Sequence, residues 1–73
     1  MEEKKIVYEV ILSIWNLAKE HGFERLKDEQ WESLIEKAMQ EQRKYSQVNP
    51  NIDKLFRDMY RALEEYYERK KHG

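Results

Sequence analysis

The fold is decided by residues 49–67, which read NPNIDKLFRDMYRALEEYY. Asn49 can cap a helix, and Pro50 suits the first helical position because an N–H there would have no helical partner. The apolar residues that follow recur every three or four positions and form a stripe about 160° wide. They are Ile52, Leu55, Phe56, Met59, Tyr60, Leu63, Tyr66 and Tyr67. The pattern predicts an amphipathic helix over about residues 50–70.

Two further helices are predicted upstream. The first covers about residues 3–20 and stops at His21-Gly22, where glycine can take the left-handed conformation that closes a helix. The second covers about residues 28–45, with Asp28 as its expected N-cap. Its apolar stripe consists of Trp31, Leu34, Ile35, Ala38, Met39 and Tyr45. The short links between the helices predict an all-α, up-down-up three-helix bundle in one domain.

The first helix is more apolar than a lone bundle requires. Its polar positions fall in a stripe only about 60° wide, which leaves an apolar arc of roughly 240° where about 100–160° is sufficient. The polar positions are Glu9, Ser13, Asn16 and Glu20. The middle of the apolar arc is formed by Val7, Ile11, Ile14 and Ala18, and it is widened on one side by Ile6, Val10 and Leu17.

Tyr8, Leu12 and Trp15 lie on the flank that two neighbouring helices would not cover. One interpretation is that this flank is an interface for a second copy or for another protein, because amphipathic aromatic residues suit an interface core. The other is that the first helix is central and the other two wrap around it, with the aromatic side chains partly exposed. The first interpretation makes these three residues the candidate interface, and both interpretations stay open.

Gln42 lies inside the apolar stripe of the second helix. A buried amide can fix register or oligomeric state, as in coiled coils. Near a helix end the same side chain can instead reach water, and both readings stay open.

Composition restricts the class of protein. The chain has 73 residues, no cysteine, 14 basic and 15 acidic residues, so it has neither disulfides nor a bulk charge that attracts nucleic acid. Its longest apolar run, Val10-Ile11-Leu12, is far short of a membrane span, and Met1-Glu2-Glu3 is unlike the start of a secretory signal. If the chain is complete, a cytoplasmic location without membrane association is expected.

Residues that could carry catalysis are few. Ser13, Ser33 and Ser46 are scattered along the sequence, and only two histidines exist. His21 ends the first helix, where the dipole favours a protonated imidazole. The acidic residues of the second and third helices map outside their apolar stripes, so no metal site in the core is expected. We therefore expect no enzymatic activity, no cofactor and no metal.

The only basic cluster is Arg69-Lys70-Lys71-His72 at the C-terminal end. Such residues complement the negative end of a helix dipole, and they can also bind phosphate. A small nucleic-acid-associated regulator that uses this tail is the alternative function.

Several segments resemble a group of small uncharacterised helical proteins from Gram-positive bacterial genomes, prophages and conjugative elements. The resemblance is carried by residues 28–38 (DEQWESLIEKA), Lys44-Tyr45, Arg57-Asp58-Met59 and Glu68-Arg69, with a weaker likeness at Trp15 and residues 18–22. Most of these positions are core or cap residues. The resemblance implies the helical fold, a bacterial cytoplasm and a mobile-element context, and it transfers no functional residue. Together, these features favour a non-enzymatic interaction module that associates with itself or another protein through the first helix.

Overall fold

A computed structural model describes the backbone of residues 3–72 and the side chains of residues 3–70. It contains three helices, α1 (Glu3–His21), α2 (Asp28–Ser46) and α3 (Pro50–His72). Each helix packs against both others, in a bundle that measures 40 × 18 × 18 Å. The predicted all-α three-helix bundle is confirmed.

Interhelical hydrogen bonds show the direction of each helix. The C-terminal half of α3 meets the end of α1, because the Tyr67 hydroxyl donates to the Gly22 carbonyl at 2.6 Å. Helix α2 runs the other way, since Tyr45 near its end contacts Glu9 in the first half of α1. The chain therefore passes up, down and up.

The helix starts are capped in different ways. The Asn49 side chain accepts a hydrogen bond from the Ile52 N–H at 2.9 Å, as its capping role predicts. The prediction that Asp28 caps α2 is wrong, because Lys27 is the N-cap residue and Asp28 opens the helix. The Gln30 side chain reaches back to accept from the Lys27 N–H at 2.9 Å, so this backbone donor is satisfied from within the helix.

Aromatic residues from α2 and α3 make up much of the core. Tyr45 stacks on Phe56 with ring centroids 5.4 Å apart, and Trp31 meets Tyr67 edge-on at 6.1 Å. The six largest fully buried side chains are Tyr45, Tyr67, Phe56, Leu34, Ile52 and Val10. Leu26, in the link between α1 and α2, is also buried.

Three residues expected in apolar stripes facing the core are exposed instead. Ile11 is 48% exposed, and Ile35 and Met39 lie on the outer edge of α2. Helix α1 is turned so that Ile6, Val10, Ile14 and Leu17 face the core. Its core face is thus centred roughly one residue step, about 100°, away from Ile11.

Gly22 has a positive φ of 79°, and a Cβ built at this position would meet no atom within 4 Å. Gly22→Ala is therefore expected to lower the free energy of unfolding by only about 1–2 kcal/mol, the cost of the left-handed conformation. Urea titration measures this loss, and Gly22→Asn should lose less because asparagine tolerates this conformation. A larger loss for asparagine than for alanine would contradict the explanation.

Candidate interaction surface on the first helix

The polar stripe of α1 faces α2. The Tyr45 hydroxyl donates to the Glu9 carbonyl at 3.0 Å and accepts from the Ser13 hydroxyl at 2.7 Å. Further along, Glu20 forms an ion pair with Lys37 of α2. Because these contacts turn the polar stripe towards a neighbouring helix, the opposite apolar flank of α1 is turned towards solvent.

All three candidate interface residues lie on that outward flank. Tyr8 is 63% exposed, Leu12 39% and Trp15 49%. Ile11 is exposed beside them, within the same 100° of the helix. The structure thus places the three residues on one face, together with Ile11, for which the sequence pattern predicts a place in the core.

Phe23 extends this face beyond the end of the helix. Its ring stacks on Trp15 with centroids 5.8 Å apart, and its backbone carbonyl accepts from the Tyr66 hydroxyl of α3 at 3.3 Å. An apolar residue directly after a closing glycine often packs back onto its helix. Gly22-Phe23 carries that signal, so the position of Phe23 beside α1 follows from a local pattern in the sequence.

We define the α1 patch as Tyr8, Ile11, Leu12, Trp15 and Phe23. All five side chains are exposed large hydrophobic residues. Their exposed fractions range from 39% to 63%. Exposed apolar side chains that are grouped on one face commonly mark an interaction site.

A second feature, at the end of α1, combines His21 with a serine. The His21 Nδ1 atom donates to the Leu17 carbonyl at 2.8 Å, and Nε2 lies 3.2 Å from the Ser33 Oγ of α2. The fold thus brings together a histidine and a serine that the sequence left far apart. His21 is only 8% exposed, and the pair lies at the contact between α1 and α2. This pair holds α1 to α2.

A groove of about 430 Å³ runs between α2 and α3 on another side of the bundle. With its amide oxygen facing α3, Gln42 accepts from Arg57 Nε at 3.0 Å and Nη2 at 2.7 Å. Arg57 also pairs with Asp53 one turn earlier at 3.0 Å. Gln42 therefore has a partner on α3, and the groove contains both apolar and charged walls.

The basic end of α3 meets the link between α1 and α2. Arg69, Lys70, Arg25 and Glu24 surround Tyr66 in a shallow cavity. The Lys70 ammonium lies 5.7 Å from the centroid of the Tyr66 ring. The fold adds Arg25 to the cluster predicted from the sequence, whereas the side chains of Lys71 and His72 lie outside the described residues.

Neither a metal centre nor a membrane span is found in the described part of the chain. Its histidine, aspartate and glutamate side chains form no group of three or more that could hold an ion. None of its helices combines the length and the apolar character needed to cross a bilayer. Comparison of the chain with protein-family models, curated proteins and solved structures gave no match.

Proposed function

We propose that this chain is a non-enzymatic protein–protein interaction module and that the α1 patch is its contact surface. The observation that carries the proposal is the exposure of five large apolar side chains on one continuous face. Hydrophobic burial is the main favourable term in most protein association, and aromatic side chains are enriched in interface cores. The resemblance noted above supports a bacterial cytoplasm as the setting.

The rest of the molecule agrees with a binding role. The core is complete without the α1 patch, since the buried side chains of α1 are on a different face. The Trp15–Phe23 stack and the Tyr66–Phe23 hydrogen bond hold the exposed rings in place. A surface ordered before binding loses less side-chain entropy when a partner covers it.

Trp15→Glu is expected to abolish binding while the bundle remains folded. Trp15 is half-buried and loses its stack with Phe23, so the free energy of unfolding should fall by only about 1–2 kcal/mol, less than for a core aromatic residue. A carboxylate in the middle of a buried interface should weaken association by about 100-fold or more. Circular dichroism and urea titration measure the free energy of unfolding. Sedimentation measures association of the chain with itself, and calorimetry measures its association with another protein.

The matched control is Trp31→Glu. Trp31 is partly buried and packs edge-on against Tyr67, so its replacement should destabilise the bundle. If Trp15→Glu lowered the free energy of unfolding as much as Trp31→Glu does, the fold itself would need the patch. The proposal would then lose its basis.

The second candidate function is nucleic-acid association through the basic end of α3. Its support is the convergence of Arg25 with Arg69 and Lys70 around an aromatic ring. Phosphate contacts of this kind give binding that weakens steeply with salt. Failure of the chain to bind heparin at low salt, or binding that is independent of salt, would remove this candidate.

A further inference from the structure

The surroundings of the α1 patch indicate which partner it fits. Lys4, Lys5 and Lys19 are exposed, and at 100° per residue they fall within or beside the arc occupied by Tyr8, Leu12 and Trp15. None of the three lysines has an ion-pair partner among the side chains that the structure describes. We call these three residues the lysine rim.

Two of the three carboxylates of α1 contact other helices, and the third lies in the polar stripe. Glu20 is paired with Lys37 of α2, and Glu3 accepts from the Asn51 side chain of α3 at 3.5 Å. Glu9 is exposed, and at 100° per residue it falls about 60° beyond the edge of the arc occupied by Tyr8, Leu12 and Trp15. The apolar centre of the outward face is therefore bordered on α1 by positive charge, although the net charge of the chain is −1.

The positive border continues at the Phe23 end of the patch. The Tyr66 hydroxyl contacts the Phe23 carbonyl, and Lys70 lies over the ring of the same tyrosine. Arg25 and Arg69 line the cavity beside it, along with a single carboxylate, that of Glu24. A partner that covers Phe23 meets mostly cations.

These charges disfavour a second copy of the chain as the partner. In a two-fold symmetric contact between α1 helices, the same surface lies on both sides. An antiparallel pair would place Lys4 and Lys5 near Lys19 of the other copy, and a parallel pair would place each lysine near its equivalent. Like charges across an interface oppose association.

The shape of the patch favours a helix. Its α1 residues follow one another at three- and four-residue spacing over two turns, and the lysine rim spans about 22 Å from Lys4 to Lys19. A helix of about 15 residues has that length. Laid along the outer flank of α1, it would add a fourth helix to the bundle, an arrangement that buries apolar stripes on all four.

We propose that the α1 patch binds an acidic amphipathic helix of another protein, an inference that rests on the proposed function. The apolar stripe of that helix covers Tyr8, Leu12 and Trp15, and its flanking carboxylates pair with the lysine rim. The stacked rings of Trp15 and Phe23 form a fixed surface, which suits a shape-complementary helix better than a fluid lipid layer. The apolar centre supplies most of the affinity, and the rim selects the charge of the partner.

The test is a selection of helical peptides displayed on phage against the folded chain, with Trp15→Glu as the counter-selection. Peptides retained only by the unmodified chain are expected to carry apolar residues at i, i+3, i+4 and i+7 with acidic flanks. Their affinity should fall about 10-fold or more for the Lys4→Glu/Lys5→Glu/Lys19→Glu variant, because three attractive contacts become repulsive. The matched control, Lys27→Glu/Arg43→Glu/Arg61→Glu, changes the net charge equally and should alter affinity by less than about 3-fold.

Different failures have different meanings. Trp15-dependent peptides without an acidic bias, or without sensitivity to reversal of the rim, would overturn the acidic partner but leave the interaction function standing. The same holds for a mass of two chains at micromolar concentration that Trp15→Glu returns to one. Trp15-dependent binding to phosphatidylserine vesicles, without any selected peptide, would replace the helix with a lipid surface. If neither peptides, nor vesicles, nor a second copy of the chain bound in a Trp15-dependent way, both the interaction function and the acidic helical partner would be refuted.

Discussion

Replacement of Tyr67 by alanine is expected to lower the free energy of unfolding by about 3–5 kcal/mol, a large share of the total stability. Tyr67 is fully buried, and its ring contacts both Trp31 and Tyr66. Truncation of a buried aromatic residue to alanine costs about 3–5 kcal/mol. A domain of this length is stable by about 4–11 kcal/mol, so one substitution removes much of the total. Far-ultraviolet circular dichroism with urea titration measures the loss.

Two substitutions separate the ring of Tyr67 from its hydroxyl group. Tyr67→Phe removes only the hydroxyl, which donates to the Gly22 carbonyl at 2.6 Å and more weakly to the Ala18 carbonyl at 3.4 Å, and a loss of about 1–2 kcal/mol is expected. Tyr66→Ala removes a ring of similar size that is only partly buried, and it should cost less than Tyr67→Ala. Equal free energies of unfolding for Tyr66→Ala and Tyr67→Ala would contradict the conclusion that the buried ring of Tyr67 stabilises this end of the bundle.

Tyr67 also connects stability with the proposed contact surface. Its hydroxyl holds the carbonyl of Gly22, and the next residue, Phe23, completes the α1 patch. Loss of the hydroxyl should therefore loosen the Phe23 end of the patch before the bundle unfolds. In the proposed complex, a partner that covers Phe23 would in turn stabilise this end by mass action.

The bundle is expected to lose stability above about pH 10, the ordinary pKa of tyrosine. Burial, followed by the nearby carboxylate of Glu64, raises the pKa of Tyr60 above that value. Burial, followed by Tyr66, also raises the pKa of Tyr67. Both hydroxyls stay protonated in the folded chain at a pH where the unfolded chain releases these protons. The contribution of the two hydroxyls to the free energy of unfolding is complete below about pH 10. It is lost as the pH rises towards the pKa values of Tyr60 and Tyr67 in the folded chain.

The measurement is the melting temperature between pH 9 and pH 12, which we expect to fall by several degrees. The Tyr60 hydroxyl is buried and, although near Glu64, is not in hydrogen-bond geometry with any described group. Tyr60→Phe should therefore preserve stability at neutral pH and make the alkaline decrease shallower. Tyr8→Phe changes an exposed tyrosine and is the control. An equal alkaline slope in the unmodified chain and in Tyr60→Phe would contradict the assignment.

The sequence by itself determined the fold class and the approximate extent of the helices. Asn49-Pro50 supplies a cap and a first turn, and Gly22 supplies a left-handed stop, so these signals act locally. The apolar excess of α1 was also visible, because the width of a stripe follows directly from residue spacing. For the same reason, Tyr8, Leu12 and Trp15 could be named as one flank.

Only the tertiary structure decided which face of each helix meets which neighbour. Periodicity defines the faces of a helix but not its rotation within a bundle, which depends on how the large buried side chains of all three helices fit together. The Tyr45 hydroxyl forms hydrogen bonds with the Glu9 carbonyl and the Ser13 hydroxyl. These two bonds place the polar stripe of α1 beside α2. Ile11 consequently points outward rather than into the core.

The contacts at the end of the bundle are likewise tertiary. Phe23 joins Trp15, Arg25 joins the basic end of α3, and Ser33 meets His21. Each depends on the path of the link between α1 and α2, and that path is set by the burial of Leu26 and the hydrogen bond from Tyr67. The sequence indicated that α1 has a wider apolar surface than two neighbouring helices can cover. Only the fold placed that surface outward, between lysines, because the buried face of α1 and its contacts with α2 lie on other sides of the helix.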